Sequence, residues 1–317
     1  MRLLSTQEHL SLDRGCVASI GNFDGIHFGH QAVLSRVVEK ASQLGLPSLV
    51  ILFEPQGREF FLKDKAPVRL TRLREKYRLL KLMGINFVAV LQFNDALSKL
   101  SPEMFVKKYI VDAFNVKHLT VGDDFHFGRN REGNFERLKA FSRDYNFKVE
   151  QMETFEIEEK RISSSLIREC LVSGDLQKAS HLLGRSYSIS GRVAHGDKRG
   201  RELGFPTANI FLYRDRASLN GIMAALVHGL SNVPLPAVAY VGRRPAIKGE
   251  REILEVHILN FDEDIYGRLI QVDFLEKLRD DMDFPSLEGL TKQMAIDIEQ
   301  AKTYFEPSKS PENVKVN

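Results

Sequence analysis

The chain has 317 residues, of which 43% are hydrophobic, and a formal net charge of +3 at pH 7. This length predicts about two domains, each large enough to bury a core. The small charge argues against a dedicated nucleic-acid binder, and two distant cysteines exclude a disulfide framework or a zinc site. With no run of ~18 apolar residues and no apolar leader, we expect a cytoplasmic protein without nucleic-acid or membrane partners.

Short apolar runs alternate with amphipathic helical patterns in the first half of the chain. The predicted strands are residues 16–20, 48–53, 87–91 and 118–122, and helical patterns cover residues 73–83 and 102–114. Such alternation predicts a Rossmann-like parallel sheet with helices on both faces. Ligands of these sheets bind at the carboxyl ends of the strands.

The stretch GNFDGIHFGH, residues 21–30, links the first of these strands to a helix. It places His27 and His30 at the helix start, where unpaired N–H groups and the helix dipole attract phosphate. Imidazoles there can stabilise charge on a phosphate undergoing displacement, and glycines let a nucleotide approach the backbone. The alternative is a helix start at which both histidines only cap or pack.

Two later segments could join this site. Residues 121–128, VGDDFHFG, place two carboxylates beside glycines after a strand. They could hold Mg²⁺, form hydrogen bonds with a hydroxylated ligand, or belong to a solvated turn. Residues 161–168, RISSSLIR, form a hydroxyl-rich helix start. Its serines and Arg168 could bind phosphate oxygens, or a serine could simply cap the helix.

The second half changes character near residue 184. Alternating segments at residues 187–193, 252–259 and 268–274, separated by turn residues, predict an antiparallel β-barrel. A helix over residues 287–305 closes it. The predicted domains are therefore residues 1–183 and 184–306, followed by a flexible tail at 307–317.

A glycine-rich and basic loop precedes the sequence PTAN at residues 206–209. The loop lacks the pattern GxxxxGK[ST] of a P-loop, and the alternative interpretation is a basic surface turn. Glu255 lies in a predicted strand. By itself, it would more simply be an outward-facing carboxylate.

Together, these motifs resemble those of the prokaryotic bifunctional riboflavin kinases/FAD synthetases over nearly the whole chain. The family motifs GxFDGxHxGH, VGxDFxFG and ISSTxIR match residues 21–30, 121–128 and 162–168, and the kinase signature matches residues 191–209. The resemblance implies a nucleotidyltransferase domain that converts FMN to FAD and releases pyrophosphate. It also implies a barrel that phosphorylates riboflavin to FMN. ATP would be the co-substrate and Mg²⁺ the metal cofactor.

The resemblance also implies roles for individual residues. His27 and His30 would stabilise the transition state of adenylylation, and Glu255 would be the general base of the kinase. Mg²⁺ would be bound by Thr207 and Asn209. The other predicted ATP- and flavin-binding residues are Gly21, Asn22, Asp24, Gly29, Asp124, Ser163, Ser164, Ser165, Arg168, Gly196, Lys198, Arg199, Gly204 and Arg279.

The departures from the family pattern are concentrated in the second half. Met223 replaces an aromatic residue, Tyr240 an asparagine and Ala246 a threonine. They motivate an alternative in which only the adenylyltransferase is active and the barrel is a flavin-binding module. A further alternative, a nucleotidyltransferase with an RNA-binding barrel, is disfavoured by the near-neutral charge and the absence of tryptophan.

Overall fold

A computed structural model describes residues 1–5, 12–153, 155–157, 160–196, 200, 204–212, 217–246 and 249–306. The predicted ligand residues Lys198 and Arg199, and the predicted tail at 307–317, lie outside these ranges. The chain forms two compact units, each made of two segments. The first unit comprises Met1–Ile167 and Leu182–Gly184, and the second comprises Arg168–His181 and Arg185–Asn317.

The first unit is built on a six-stranded sheet, which confirms the predicted Rossmann-like architecture. Its strands are β1 (Arg2–Ser5), β2 (Cys16–Ile20), β3 (Ser48–Glu54), β4 (Phe87–Gln92), β5 (Val116–Gly122) and β6 (Lys148–Met152). They are ordered β1-β4-β3-β2-β5-β6, and every neighbouring pair is parallel. The carboxyl ends of β2, β3 and β5 therefore meet at one edge of the sheet.

Among the described residues, six α-helices connect these strands: α1 (Phe28–Leu44), α2 (Gly57–Leu62), α3 (Leu73–Leu82), α4 (Asp95–Ser98), α5 (Pro102–Phe105) and α6 (Phe135–Asp144). Two further helices, α7 (Ser164–Ser173) and α8 (Leu176–Leu183), follow the sheet in the chain, and most of both belongs to the second unit. The predicted helix over residues 102–114 begins as α5 and continues as a π-helix over Val106–Ala113. A small hairpin, β7 (Glu156–Ile157) and β8 (Lys160–Arg161), precedes α7.

Both faces of the sheet are buried, which explains the unbroken apolar sequence of its strands. In β3, Leu49 and Ile51 belong to one core cluster, whereas Val50 and Leu52 belong to a second cluster with Leu80 of α3. Because successive side chains point to opposite faces, a strand between two helical layers needs apolar residues at every position.

The second unit contains a closed antiparallel barrel, as predicted. Its strands are β9 (Tyr187–Ala194), β10 (Ala208–Phe211), β11 (Gly221–His228), β12 (Leu235–Ala246), β13 (Gly249–Ile258) and β14 (Leu269–Arg279). They close in the order β10-β13-β12-β11-β14-β9. The last helix, α9 (Leu287–Phe305), packs against the outer face of β11 and β12.

Candidate active sites

The loop between β2 and α1 brings the two predicted histidines together. His27 is the N-cap of α1, and its Nδ1 accepts a hydrogen bond from the backbone N–H of His30 at 3.4 Å. The two rings stack with centroids 3.7 Å apart. A Cβ atom on Gly29 would lie 3.3 Å from the His27 ring, so the glycine leaves room for that ring. Capping therefore does occur, and it holds one imidazole against the other.

His30 is neutral near pH 7. Burial is the main cause that holds its pKa well below the ordinary value, and the charges of His27 and Lys76 act in the same direction. Its Nδ1 atom is buried and has no hydrogen-bond partner among the described residues. Since buried polar atoms are nearly always bonded, an orphaned nitrogen here fits a site whose ligand supplies the missing partner.

Asp24 lies between the histidine loop and the segment that leads into α3. It is 3% exposed, and its carboxylate accepts the backbone N–H groups of Leu70 and Thr71 at 3.0–3.1 Å and the Thr71 hydroxyl at 3.2 Å. Its backbone carbonyl accepts the hydroxyl of Ser164 at 2.8 Å. The structure thus brings Asp24 and Ser164 together, while their ligand contacts stay predictions.

The backbone around Asp24 is strained. Phe23 and Ile26 both have φ 45°, and Gly25 has φ 88°. A left-handed conformation is unfavourable for a β-branched residue such as Ile26, and strain of this kind persists where surrounding contacts enforce it. The bonds from the Asp24 carboxylate, together with the bond from Gly25 N–H to Thr71 Oγ1 at 2.9 Å, provide that enforcement.

The remaining predicted residues of this region lie near β2, β5 and α7. Ser163 caps α7, since its Oγ accepts the N–H of Leu166 at 3.2 Å, and Ser165 is exposed. The Asp124 carboxylate lies 3.2 Å from the guanidinium of Arg161. Asn22 is exposed, Gly21 lies against the Phe23 ring and Arg168 is half-buried in α7. Their ligand roles stay predictions.

Lys76 is a buried lysine, only 3% exposed, that no sequence motif predicted as a site residue. It lies in α3 at the position facing the core, one turn before the buried Leu80. Burial is the main effect on its pKa and lowers it. The detectable signal is a lysine in the apolar stripe of an otherwise amphipathic helix. Lysine is almost never buried in this way unless it is paired or functional.

In the barrel, strand register places the predicted kinase residues side by side. Asn209 of β10 is directly opposite Glu255 of β13, and Glu255 is directly opposite Tyr240 of β12. All three are partly exposed, whereas Leu254 and Val256, the neighbours of Glu255, are fully buried. Directly opposed residues have Cβ atoms about 4.5–5.5 Å apart, so the three side chains share one outer face.

Thr207 and two glycines of the basic loop complete this face. A Cβ atom on Gly196 would lie 2.4 Å from Asn209 Nδ2, and one on Gly200 would lie 3.2 Å from Thr207 Oγ1. A cavity of about 270 Å³ adjoins Thr207. Hydroxyl, amide and carboxylate oxygens grouped in this way fit Mg²⁺, which prefers oxygen ligands. Gly204, another predicted ligand residue, has φ +86° in the turn before Thr207.

Arg279 and two of the family departures, Tyr240 and Met223, have defined surroundings in the barrel. The Arg279 guanidinium donates to both carboxylate oxygens of Asp297 in α9, at 2.8 and 2.7 Å. The Tyr240 hydroxyl donates to Asp281 at 2.8 Å. Met223 is completely buried beside Ala239. Arg279 thus ties α9 to the barrel and Met223 fills its core, while the flavin-binding role of Arg279 stays a prediction.

Comparison with known proteins decides the family. The FAD synthetase model matches residues 9–166, and the riboflavin kinase model matches residues 183–305. The bifunctional riboflavin kinase/FMN adenylyltransferase of Haemophilus influenzae is 44% identical over 292 residues, which cover 92% of this chain and 95% of that protein. The chain belongs to this bifunctional family. The Escherichia coli member is 44% identical over 307 residues, 96% of this chain and 98% of its own.

Membership of the riboflavin kinase/FMN adenylyltransferase family confirms the predicted bifunctional transferase over the alternative with a single activity. A solved structure named as a macrolide-efflux protein from Streptococcus pneumoniae has a TM-score of 0.81 and 29% identity to this chain. The match covers 95% of this chain and 99% of that one. Among the described residues, no helix is both long and apolar enough to cross a membrane.

The lowered pKa of His30 predicts how stability depends on pH. Below the ordinary histidine pKa of about 6.5, the unfolded chain takes up a proton that the folded site resists, so stability falls as pH falls. Between pH 7.5 and 5.5, the wild type should lose about 1 kcal/mol more unfolding free energy than His30→Gln. Urea unfolding at several pH values measures this difference. The exposed His126→Gln should follow the wild type, and identical slopes for all three proteins would contradict the prediction.

Proposed function

We propose that the first unit transfers the adenylyl group of ATP to FMN at the His27–His30 pair. We also propose that the barrel phosphorylates riboflavin at the face formed by Thr207, Asn209 and Glu255. The observation that carries the first assignment is the stacked imidazole pair at the start of α1, with an orphaned buried nitrogen. Because FMN leaves one reaction and enters the other, the chain would convert riboflavin to FAD with one ATP per step.

In adenylyl transfer, a phosphate oxygen of FMN attacks the α-phosphorus of ATP and the bond to pyrophosphate breaks. Negative charge increases on the oxygens around that phosphorus, and donors fixed in advance stabilise it. The neutral imidazole of His30 and the free N–H groups of α1 can donate there without transferring a proton. Positioning and charge stabilisation are sufficient, and no covalent enzyme intermediate is needed.

The start of α7 provides a second set of hydroxyls for the triphosphate. Ser164 is held in place by its bond to the Asp24 carbonyl, and Ser165 presents an exposed hydroxyl beside it. A serine hydroxyl has a single proton to donate, so Ser164 would bind a phosphate oxygen only after releasing the Asp24 carbonyl, whereas the exposed Ser165 hydroxyl can donate directly. We assign Ser163, Ser164, Ser165 and Arg168 to phosphate binding, and Gly21, Asn22, Asp24, Gly29 and Asp124 to the nucleotide or flavin, on the family motifs.

In the kinase reaction, the 5′-hydroxyl oxygen of riboflavin attacks the γ-phosphorus of ATP, and ADP leaves. Glu255 would take the hydroxyl proton as the new bond forms. Its place opposite Asn209 supports this role, since the base must lie beside the bound phosphates. Mg²⁺ held by the oxygens of Thr207 and Asn209 would neutralise charge on those phosphates.

We propose a cytoplasmic setting and the domain limits 1–183 and 184–306. Both cysteines are buried and free, which fits a reducing compartment. The two family models end and begin at residues 166 and 183, which supports a junction near that point. The ligands would be riboflavin, FMN, FAD, ATP and pyrophosphate, and we expect neither nucleic acid nor membrane as partner.

Replacing either histidine should separate the two activities. His27→Ala and His30→Ala should each lower FAD formation from FMN and ATP by about 10²–10³-fold, since each removes a charge-stabilising group. FMN formation from riboflavin should be retained. Chromatography of the flavins after incubation with ATP and Mg²⁺ measures both. An equal loss of both activities in a folded variant would show that the two reactions do not use separate sites.

Glu255→Gln should have the opposite effect. It keeps the size of the side chain but removes the base, so FMN formation should fall by about 10²–10⁴-fold while FAD formation from supplied FMN persists. The same chromatographic assay applies, with the exposed Glu288→Gln on α9 as the matched control. A full rate of FMN formation would mean that Glu255 is only a strand carboxylate.

A further inference from the structure

We propose that Lys76 is a phosphate-binding residue of the adenylyl-transfer site, where its ammonium group holds a phosphate of ATP or FMN beside His27 and His30. The proposal rests on the assignment of adenylyl transfer to that histidine pair. Lys76 lies outside every family motif matched in the sequence, so it would add a positive charge to the residues already assigned to this site.

The first argument is that the Lys76 side chain is buried while its ammonium group has no partner among the described residues. Only 3% of the residue is exposed, yet its Nζ forms no hydrogen bond or ion pair with any residue in the part of the chain that the structure describes. Buried charges are normally paired, because their removal from water is costly. A lysine that the fold leaves unpaired fits a ligand that brings the missing negative charge.

The second argument is that the acidic residues around Lys76 already have other partners. Asp24, Glu54 and Glu59 are close enough to raise its pKa, although burial outweighs them. The Asp24 carboxylate accepts bonds from Leu70 and Thr71, as described above. Glu54 and Glu59 both pair with the guanidinium of Arg69. These carboxylates keep the region from being strongly positive, but none binds the ammonium group.

The third argument is the position of the charge. Thr71 bonds to Gly25 and to the Asp24 carboxylate of the histidine loop, and Lys76 follows five residues later in α3. The lowering of the His30 pKa by Lys76 agrees with this position. An anion at that point can accept hydrogen bonds from the ammonium, an imidazole and the helix N–H groups together. A phosphate has enough oxygens for all of these donors, and both substrates of the proposed reaction carry phosphates.

This role predicts opposite effects on stability and on catalysis. Lys76→Met keeps most of the length and apolar volume but removes a buried charge, so the free protein should melt at the same or a higher temperature. The kcat/KM for FAD formation should fall about 10- to 100-fold, the range expected when a hydrogen bond to a charged group is lost. A lysine that served only as counter-ion for Asp24, Glu54 and Glu59 would lower the melting temperature when replaced.

The test compares the full-length wild type, Lys76→Met and the exposed Lys81→Met on the same helix. Thermal melts are recorded without ligand, and FAD formation is measured while ATP and FMN are varied separately. The substrate whose KM rises identifies the phosphate that Lys76 binds. FMN formation from riboflavin and all properties of Lys81→Met should match the wild type.

Two results would overturn the proposal: a Lys76→Met variant that is less stable or unfolded, or one with wild-type kinetics of FAD formation. His27→Ala is assayed in parallel, because it shows whether the Lys76 proposal alone fails or whether the assignment of adenylyl transfer to the His27–His30 pair fails as well. If His27→Ala loses FAD formation and Lys76→Met does not, only the lysine proposal fails. If both keep wild-type FAD formation, the histidine pair is not the adenylyl-transfer site.

Discussion

The buried carboxylate of Asp24 is the interaction on which the first site depends. It accepts two backbone N–H groups and a hydroxyl from residues 46 and 47 positions further along the chain. These bonds fix the segment before α3 against the loop that carries His27, and they enforce the left-handed backbone at Phe23 and Ile26. Bonds to an ionised acceptor are stronger than neutral ones, and burial strengthens them further.

Placing α3 in this way has a chemical consequence. The helix turns Lys76 toward the core, within electrostatic range of His30 and Asp24. Its ammonium group and the neutral imidazole then complement the dipole of α1. A charged ammonium group, a neutral imidazole donor and a helix N-terminus are thus available where phosphates would react, without a dense cluster of exposed positive charge. A site built in this way is consistent with the small net charge of the whole chain.

Local sequence patterns were sufficient to predict the parallel sheet and the histidine pair, but not the partners of Asp24 or the strand β11. The parallel sheet was predictable because doubly buried strands are apolar at every position, and the histidine pair because its spacing and flanking glycines are local. The hydrogen-bond partners of Asp24 could not be predicted, because no local pattern links a carboxylate to backbone groups so far along the chain. β11 was missed because α9 covers its outer face at Ile222 and Ala224, which removes the alternation expected of a barrel strand.

The barrel shows the same limit. Its motifs identified Thr207, Asn209 and Glu255, but only strand register reveals that Asn209, Glu255 and Tyr240 are directly opposed. Strand register and burial also explain one departure from the family pattern. Met223 is a core residue beside Ala239, so this departure affects packing of the barrel core more directly than ligand binding. Tyr240 remains the departure nearest to the proposed chemistry, and its bond to Asp281 gives it a defined position.

Amide hydrogen exchange in Asp24→Asn tests the central claim most directly, combined with assays of both reactions. The amide side chain keeps the size but removes the negative charge that strengthens the bonds from the backbone N–H groups, so exchange at Leu70 and Thr71 should accelerate about tenfold or more. FAD formation should fall with it, while FMN formation and the amides of the barrel strands stay unchanged. Lost FAD formation with full protection at Leu70 and Thr71 would contradict the account, because Asp24 would then serve only the ligand contact assigned from the family motifs and would not hold the segment before α3.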